Sequence, residues 1–233
     1  MPGKVLNMVA GEPMLGRIVE RAAQSNSLDS VIVATSTNSA DDMIEDFCKQ
    51  RKISYFRGSQ ENVLERYYQC AKQYQGDIII RLTADNVFVD SVIIEEAIQY
   101  FQSKDGLDYL YYREGLPLGL AVEVFSMEAL ERAFLETKDL ECREHVTLYM
   151  YRNPELFNCI RVKSQEDYSF LRLTMDTEQD YQLITSLYER LLVKGLEVSY
   201  KNVIRELLQD EKLREMNKEV VQKVPIYRLN DNK

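Results

Sequence analysis

Residues 76–90, GDIIIRLTADNVFVD, decide the fold of this chain. Residues 78–80 form a β-branched run without polar alternation, which predicts a strand buried on both faces of a parallel sheet. The run ends at the polar cluster 83–86, which predicts a turn at the carboxyl end of the strand. Ligands of open α/β sheets bind at that edge, where a fixed carboxylate such as Asp85 suits a hard cation. A turn-capping role for Asp85 is the alternative interpretation.

Strands and helices alternate on both sides of this stretch. Pro13 opens a helix, residues 29–36 form a strand, and Ser39 caps a helix that carries Asp41 and Asp42 in its first turn. Residues 53–56 form a short strand, and helices begin near Glu61 and at residue 90. This alternation predicts an α/β fold, a doubly wound and mostly parallel sheet with helices on both faces.

The second half of the chain has a different texture. Strands are predicted at 107–112, 120–125, 157–162 and 170–174, with a helix at 126–134 capped by Ser126 and another at 141–151. Asp176 and Thr177 open a long helix. We therefore predict one main α/β domain over residues 1–195, with a small β/α insertion at about 107–165. Residues 196–233 form a charged helical extension and tail.

Composition excludes several classes of protein. The 233 residues carry a net charge of −9, whereas a nucleic-acid-binding protein shows a basic face. No apolar run approaches 18 residues and no signal peptide is evident, so we expect a soluble cytoplasmic protein without a membrane partner. The four widely spaced cysteines predict reduced, packed thiols rather than disulfides.

Three polar clusters follow predicted strands, at residues 35–36, 85–86 and 176–177. Right-handed crossovers place all three on one edge of the sheet, where Asp85 and Asp176 are positioned to share one Mg²⁺. Simple helix capping is the alternative role for Asp176. In Gly3-Lys4 the glycine permits close backbone approach and the lysine offers a charge for a phosphate, although most such triplets are surface loops.

Other chemistries have weaker support in the sequence. Cys142 and His145 lie one helical turn apart, but no second pair exists to complete a zinc site, so a packing or hydrogen-bonding role for His145 is favoured. No nucleophile-elbow sequence supports a Ser/His/Asp hydrolase. Arg57 and Arg66 supply hydrogen-bond donors near the predicted sheet edge. The alternative is that both arginines are exposed and bonded only to solvent.

An ordered set of short motifs resembles the cytidylyltransferase family, which includes the CMP-sialate and CMP-KDO synthetases. The set covers nearly all of the chain to about Gly195. Its members are GKVL (3–6), GEPM (11–14), VATS (33–36), FRGS (56–59), LERY (64–67), RLTAD (81–85), VEVF (122–125), REHVT (143–147) and LRLTMDT (171–177).

The resemblance implies a nucleotidyl transfer in which a sugar hydroxyl attacks the α-phosphate of CTP and pyrophosphate leaves. It implies Mg²⁺ held by Asp85 and Asp176. The catalytic residues that it implies are Lys4, Arg66 and Asp85. The residues that it places against the nucleotide are Gly3, Lys4, Ala34, Thr35, Ser36, Ser59, Arg66 and Thr83. The resemblance also implies a homodimer, and we expect its interface at the tyrosine-rich segments 109–112 and 149–151, with core tyrosines as the alternative.

The chain departs from the family in two places. The family begins with a strand and a loop that lead into Pro2-Gly3-Lys4, and here both are absent; we therefore expect Met1 to be a misassigned or truncated start and the chain as written to be poorly stable and inactive. Ala121 stands where many relatives have an aspartate. Arg113, Arg143 and Arg152 are candidates to pair with a sugar carboxylate. A catalytically silent homologue, and an enzyme that uses another base, remain the rival hypotheses.

Overall fold

The computed structural model of the chain describes residues 3–221. The strands are β1 (Met8–Val9), β2 (Glu12–Pro13), β3 (Ile32–Ser36), β4 (Ser54–Gly58), β5 (Ile78–Arg81), β6 (Tyr109–Glu114), β7 (Val122–Ser126) and β8 (Cys159–Lys163). The helices are α1 (Met14–Ala22), α2 (Asp42–Arg51), α3 (Val63–Gln73), α4 (Ser91–Gln102), α5 (Met127–Glu136), α6 (Leu140–Glu144), α7 (Leu148–Arg152), α8 (Glu178–Val193), α9 (Tyr200–Gln209) and α10 (Glu211–Glu215).

The main strands form two separate sheets. β3 and β4 pair in parallel, and a four-stranded sheet has the order β5-β7-β6-β8. In the larger sheet β7 is antiparallel to both β5 and β6, and β8 is parallel to β6, so three of its four strands share one direction. Helices α2, α3 and α4 follow β3, β4 and β5. The predicted α/β class with a mostly parallel sheet is confirmed.

Side-chain caps fix where most helices begin. The side chains of Asn62, Asp90, Ser126 and Thr177 accept backbone N–H groups at the starts of α3, α4, α5 and α8. Such caps satisfy donors that have no partner within the helix. The predicted cap at Ser126 is therefore confirmed, whereas α8 is capped by Thr177 and not by Asp176, to which the capping alternative had been assigned. The predicted cap at Ser39 is wrong by one residue, because Asn38 caps a 3₁₀ turn, Ser39–Asp41, that leads into α2.

Two predicted elements differ in the structure. The strand expected at 170–174 is reduced to one isolated bridge between Leu118 and Arg172. The helix expected at 141–151 is two short helices, α6 and α7, because the backbone leaves the helical region at His145, whose φ is −105° and ψ is 53°. The hairpin of β1 and β2, which turns through left-handed Ala10 and Gly11, was not predicted because two-residue strands carry no periodic pattern.

Two apolar clusters pack on opposite faces of β5. Ile78 and Ile80 contact the larger cluster, which includes buried residues of α1, α4, α8 and α9, and Ile79 contacts the smaller one around α3 and α5. Leu207 and Leu213 also belong to the larger cluster, so α9 and α10 pack against the main core. Strands β6 and β7, within the predicted insertion, are inner strands of the four-stranded sheet.

The two sheets are separated by a cavity of about 770 Å³. Residues 31–34 and 78–83 line it from either side, and within residues 3–221 the edges of β3 and β5 that face it make no strand pairing. All four residues of β5 remain partly exposed. Both faces of β5 are packed by apolar clusters, as predicted for residues 78–80, and the partial exposure arises because one edge of the strand borders the cavity.

The surface chemistry of the described chain agrees with its composition. All four cysteines are free thiols, and three of them are buried. Within residues 3–221, none of the helices combines the length and the apolar character that spanning a membrane requires.

Candidate active site

The Lys4 ammonium joins the amino-terminal turn to the segment before α8. Its Nζ donates to the Met175 carbonyl at 3.1 Å and to the Asp176 carboxylate at 3.0 Å. Gly3, immediately before it, adopts a left-handed φ of 69° and lies against Met43 near the start of α2. The predicted phosphate-binding lysine and the predicted metal ligand Asp176 are therefore in direct contact.

Asp85 is held next to the same segment by its backbone. Its carbonyl accepts a hydrogen bond from the Met175 amide at 2.9 Å. The Thr83 hydroxyl donates to its carboxylate, and the Asn86 amide donates to that hydroxyl at 2.7 Å. The turn after β5 and the segment before α8 thus meet at Met175, as expected for polar clusters at one edge of a sheet.

Arg172 orients Asp176 from the other side. Its guanidinium donates one hydrogen bond to Asp176 at 2.8 Å and two to Asp180, at 2.9 and 3.0 Å. Asp180 is fully buried, forms a capping box with Thr177, and also accepts from Asn217 at 2.8 Å. Burial acts against ionisation, yet the bonds and charges of these partners hold the pKa values of Asp176 and Asp180 below their ordinary range.

A second cluster lies at the carboxyl ends of β3 and β4. The Asp41 carboxylate accepts from the Thr35 hydroxyl at 2.9 Å and from the Ser36 hydroxyl at 2.6 Å, and both side chains are buried. Burial opposes ionisation of Asp41, but these bonds lower its pKa. Because both hydroxyls donate to Asp41, the oxygen of Thr35 keeps lone pairs that can accept from a ligand.

Ser59 and Arg66 extend this second cluster. Arg66 donates to the Ser59 carbonyl at 2.9 Å, and the Ser59 hydroxyl accepts from the backbone of Asn62 at 3.0 Å. The Arg66 Nε is buried without a hydrogen-bond partner among residues 3–221. Burial lowers the pKa of this guanidinium, so an anion placed beside it gains a strong, poorly hydrated donor.

Gly119 allows the loop between β6 and β7 to touch both acidic turns. Its φ is 104°, and a Cβ there would lie 3.0 Å from the Leu173 carbonyl and 3.1 Å from Asn86 Oδ1. That Asn86 oxygen is also buried without a partner within the described chain. A glycine is required because a larger residue would push apart the turns that carry Asp85 and Asp176.

Asp85 and Asp176 provide the carboxylates that a magnesium ion requires, but one of them is already paired with cations. Mg²⁺ in phosphate-transfer sites usually takes one or two carboxylates and completes its shell with water and phosphate oxygens, which Asp85 and Asp176 satisfy in number. Within residues 3–221 no group of three or more His, Cys, Asp or Glu side chains is placed to hold a metal. Asp176 also bonds two cationic side chains, so a metal would compete with Lys4 and Arg172 for it.

Several site residues were missed by sequence reasoning. Asp180 carried a readable signal, because Thr177 followed three residues later by an acid is a capping-box pattern. Asp41 was noted only for the helix dipole. Arg172 and Asn217 had no local signal, since they act across 8 and 37 residues of chain.

Comparison with known proteins identifies the family to which the chain belongs. A sequence model of the cytidylyltransferases matches residues 1–231. The chain belongs to the cytidylyltransferase family. It is therefore a nucleotidyltransferase, and the two clusters described above lie in a fold that the family uses for that chemistry.

Several known proteins are similar to this cytidylyltransferase over most of its length. It is 34% identical over 225 residues to an uncharacterized protein of Methanocaldococcus jannaschii, across 96% of this chain and 91% of that protein. It is 34% identical to the spore coat polysaccharide biosynthesis protein SpsF of Bacillus subtilis, across 82% of this chain and 81% of that protein. A solved cytidylyltransferase from Leptospira borgpetersenii superposes with a TM-score of 0.87 at 29% identity, covering 95% of this chain and 93% of that one.

The three arginines that were considered as partners of a sugar carboxylate differ in the ion pairs that they already make. Arg113 bonds Glu96 and stacks on Tyr112, and Arg152 bonds Glu141 at 2.8 Å. Across the described residues, Arg143 alone among the three makes no ion pair. The structure thus leaves one of the candidates available for a substrate anion.

Proposed function

We propose that this cytidylyltransferase transfers CMP from CTP to a hydroxyl of a sugar or sugar acid and releases pyrophosphate. The product serves the synthesis of a surface polysaccharide, such as that of a spore coat. The observation that carries the proposal is the convergence of Lys4, Asp85 and Asp176 at Met175, to which Thr35 and Ser36 add a second polar cluster at the carboxyl end of β3.

The proposed chemistry needs positioning and charge neutralisation rather than a covalent intermediate. Lys4 places a positive charge against Asp176, and the Arg66 guanidinium places a second positive charge beside Ser59. Asp85 and Asp176 would hold Mg²⁺, which when bound supplies further charge neutralisation to the phosphates. In this scheme Lys4 exchanges its bond to Asp176 for bonds to the triphosphate.

Thr35 and Ser36 support a base with an exocyclic amino group. Asp41 takes the hydroxyl protons of both residues, so the Thr35 oxygen presents lone pairs rather than a donor. The amino group of cytosine donates to such an oxygen, whereas the corresponding carbonyl of uracil does not. For the acceptor substrate, Arg143 supports a sugar acid because a guanidinium pairs with a carboxylate through two parallel bonds.

The test is a turnover assay with purified protein and Mg²⁺. CTP, UTP, dTTP, ATP and GTP are each offered with a panel of neutral sugars and sugar acids, and pyrophosphate release and the nucleotide-sugar mass are measured. We expect a CMP-sugar product with CTP and a sugar acid, a result that would also contradict the expectation that the chain as written is inactive. Product formed only with another nucleotide would reject the CTP assignment. No product with any pair, from a protein that is folded and binds CTP, would favour the silent homologue.

A further inference from the structure

A second cavity, of about 840 Å³, lies between α9 and the end of the four-stranded sheet that carries β6 and β8. Its lining comes from these two strands, from the loops that follow them and from α9. Among the described residues, it shares no lining residue with the cavity between the two sheets and none with the two clusters of the candidate active site. Its volume is within the usual range for a small-molecule site.

Positive charge collects at this cavity, although the chain as a whole has a net charge of −9. The described residues that line it include four basic side chains and one carboxylate, that of Glu166. Lys163, Lys201 and Arg205 are exposed and make no ion pair within residues 3–221. Lys201 and Arg205 lie one turn apart on the same face of α9, a spacing that brings two side chains together. A doubly charged anion would neutralise such a group.

A β-bulge turns the fourth basic residue, Arg113, toward the same cavity. The register with β8 shifts between Tyr112 and Glu114, and Arg113 between them has a left-handed φ of 62°. Successive residues of a regular strand point to opposite faces, yet Tyr112 and Arg113 both line the cavity. The guanidinium pairs with Glu96 and lies 5.6 Å from the centre of the Tyr200 ring. Arg113 therefore positions that ring, while the three unpaired cations supply the charge.

Aromatic and apolar side chains complete the lining. Three tyrosines line the cavity and are partly exposed: Tyr112, Tyr168 and Tyr200. Buried Leu116 and Ile204 line it as well. The Tyr168 amide donates to the Gly115 carbonyl at 2.6 Å, which ties the loop after β8 to the loop after β6. Tyrosine presents a flat apolar ring and a polar hydroxyl, a combination that suits a ring-shaped polar ligand.

We propose that this cavity binds a phosphate monoester of a ring-shaped small molecule, at a site separate from the active site. The phosphate, with a charge of about −1.5 to −2 at neutral pH, lies against Lys163, Lys201 and Arg205. The ring of the ligand packs on Tyr168 and Tyr200. A sugar phosphate and a nucleoside monophosphate share this chemistry, and the experiment distinguishes them.

Isothermal titration calorimetry of the full chain tests the proposal. The probes are glucose 1-phosphate and AMP, and glucose and adenosine are their uncharged controls. Lys201→Gln/Arg205→Gln removes two charges from the cavity, and the matched control, Lys52→Gln/Lys138→Gln, removes two exposed and unpaired charges elsewhere within residues 3–221. We expect the cavity variant to bind one of the two esters at least about tenfold more weakly, and the control variant to change its affinity less than about twofold. The ester that loses affinity identifies the body of the ligand.

Amide hydrogen exchange with the bound ester locates the site. We expect slower exchange in residues 163–168 and 200–205, and unchanged exchange in residues 35–41 and 59–66, which belong to the candidate active site. Binding of neither ester, equal affinity in the cavity variant and the unsubstituted chain, or protection confined to residues 35–41 and 59–66 would overturn the proposal. Inorganic phosphate that binds as tightly as both esters would overturn the role assigned to the tyrosine rings.

Discussion

The Asp85 carbonyl and the Met175 amide are joined by a hydrogen bond of 2.9 Å. The carbonyl of the same Met175 accepts from Lys4 at 3.1 Å. Backbone groups therefore hold together the two acidic turns and the lysine. Substitutions of the site side chains should alter the chemistry without separating these turns, which makes the following predictions interpretable.

Replacing Lys4 by methionine should lower kcat for CMP transfer by about 100-fold, the usual effect of removing one donor that stabilises transition-state charge. Methionine keeps all but the last atom of the side-chain length and removes the ammonium. The control is Lys138→Met, because Lys138 is exposed and makes no ion pair among the described residues. Steady-state pyrophosphate release measures both variants. Equal kcat in both would remove Lys4 from the site.

Asp85→Asn should weaken the apparent Mg²⁺ affinity by more than about tenfold, since an amide lacks the charge that a hard cation prefers. Mg²⁺ titration by calorimetry in the presence of CTP, alongside turnover, gives the affinity. Asp105→Asn is the control, because Asp105 is exposed on the loop after α4. An unchanged Mg²⁺ dependence in Asp85→Asn would contradict the proposed ligand.

Asp180→Ala should destabilise the fold strongly. It leaves Arg172, whose side chain is only 10% exposed, without its bidentate partner. Breaking a buried pair by removing one member costs about 3–5 kcal/mol, so Tm should fall by roughly 10 °C. The comparison is Lys218→Ala, which breaks the exposed pair with Glu215 and should cost less than about 1 kcal/mol. Similar melting shifts in the two variants would show that the buried network is not a stabilising one.

Stability should fall in acid through Asp180 and Glu123. Burial opposes their ionisation, but Arg172 and Asn217 lower the pKa of Asp180, and Arg81, Thr147 and Tyr109 lower that of Glu123. For a carboxyl with a depressed folded-state pKa, the stabilisation is fully present above its unfolded value, about 3.9 for Asp and 4.3 for Glu, and is lost as pH falls through the folded pKa. Urea unfolding from pH 6 to pH 2.5 should show a constant plateau and then a decline below about pH 4. A decline that begins near pH 6 would point to other groups.

The protein should be a homodimer at micromolar concentration, although Tyr109 does not contribute to the interface. Tyr109 is 1% exposed and donates to Glu123, so it is a core tyrosine. Tyr112 and Tyr149 are partly exposed and remain candidates for the interface. Light scattering coupled to gel filtration measures the mass directly. A monomer of 27.2 kDa would contradict the prediction.

The sequence was informative where the physical signal was local. The run of residues 78–80 identified β5, and Ser126 and Thr177 marked two helix starts, because burial and capping depend on a few adjacent residues. The segments that carry Asp85 and Asp176 do meet at Met175, although residues 170–174, predicted as the strand before Asp176, form one isolated bridge. Whether a segment forms a helix or a strand could be predicted from patterns that span one turn or one strand.

The sequence was uninformative where contacts cross the chain. Nothing near Arg172 indicates that it holds Asp180 and Asp176 together, and nothing near Asn217 indicates that it bonds Asp180. The break at His145 was missed because the apolar spacing of residues 141–151 continues through it. Whether β5 is fully buried depends on what lies beside its edge, which the pattern within the strand cannot show.

Asp180 serves two structures at once, since the carboxylate that closes the first turn of α8 also fixes Arg172. Fraying of that one turn therefore releases the arginine that orients Asp176. Helix ends open far more often than whole domains unfold. Catalytic competence should consequently be lost in mild denaturant before the global transition, so that activity reports the integrity of a single helical turn while circular dichroism still reports a folded protein.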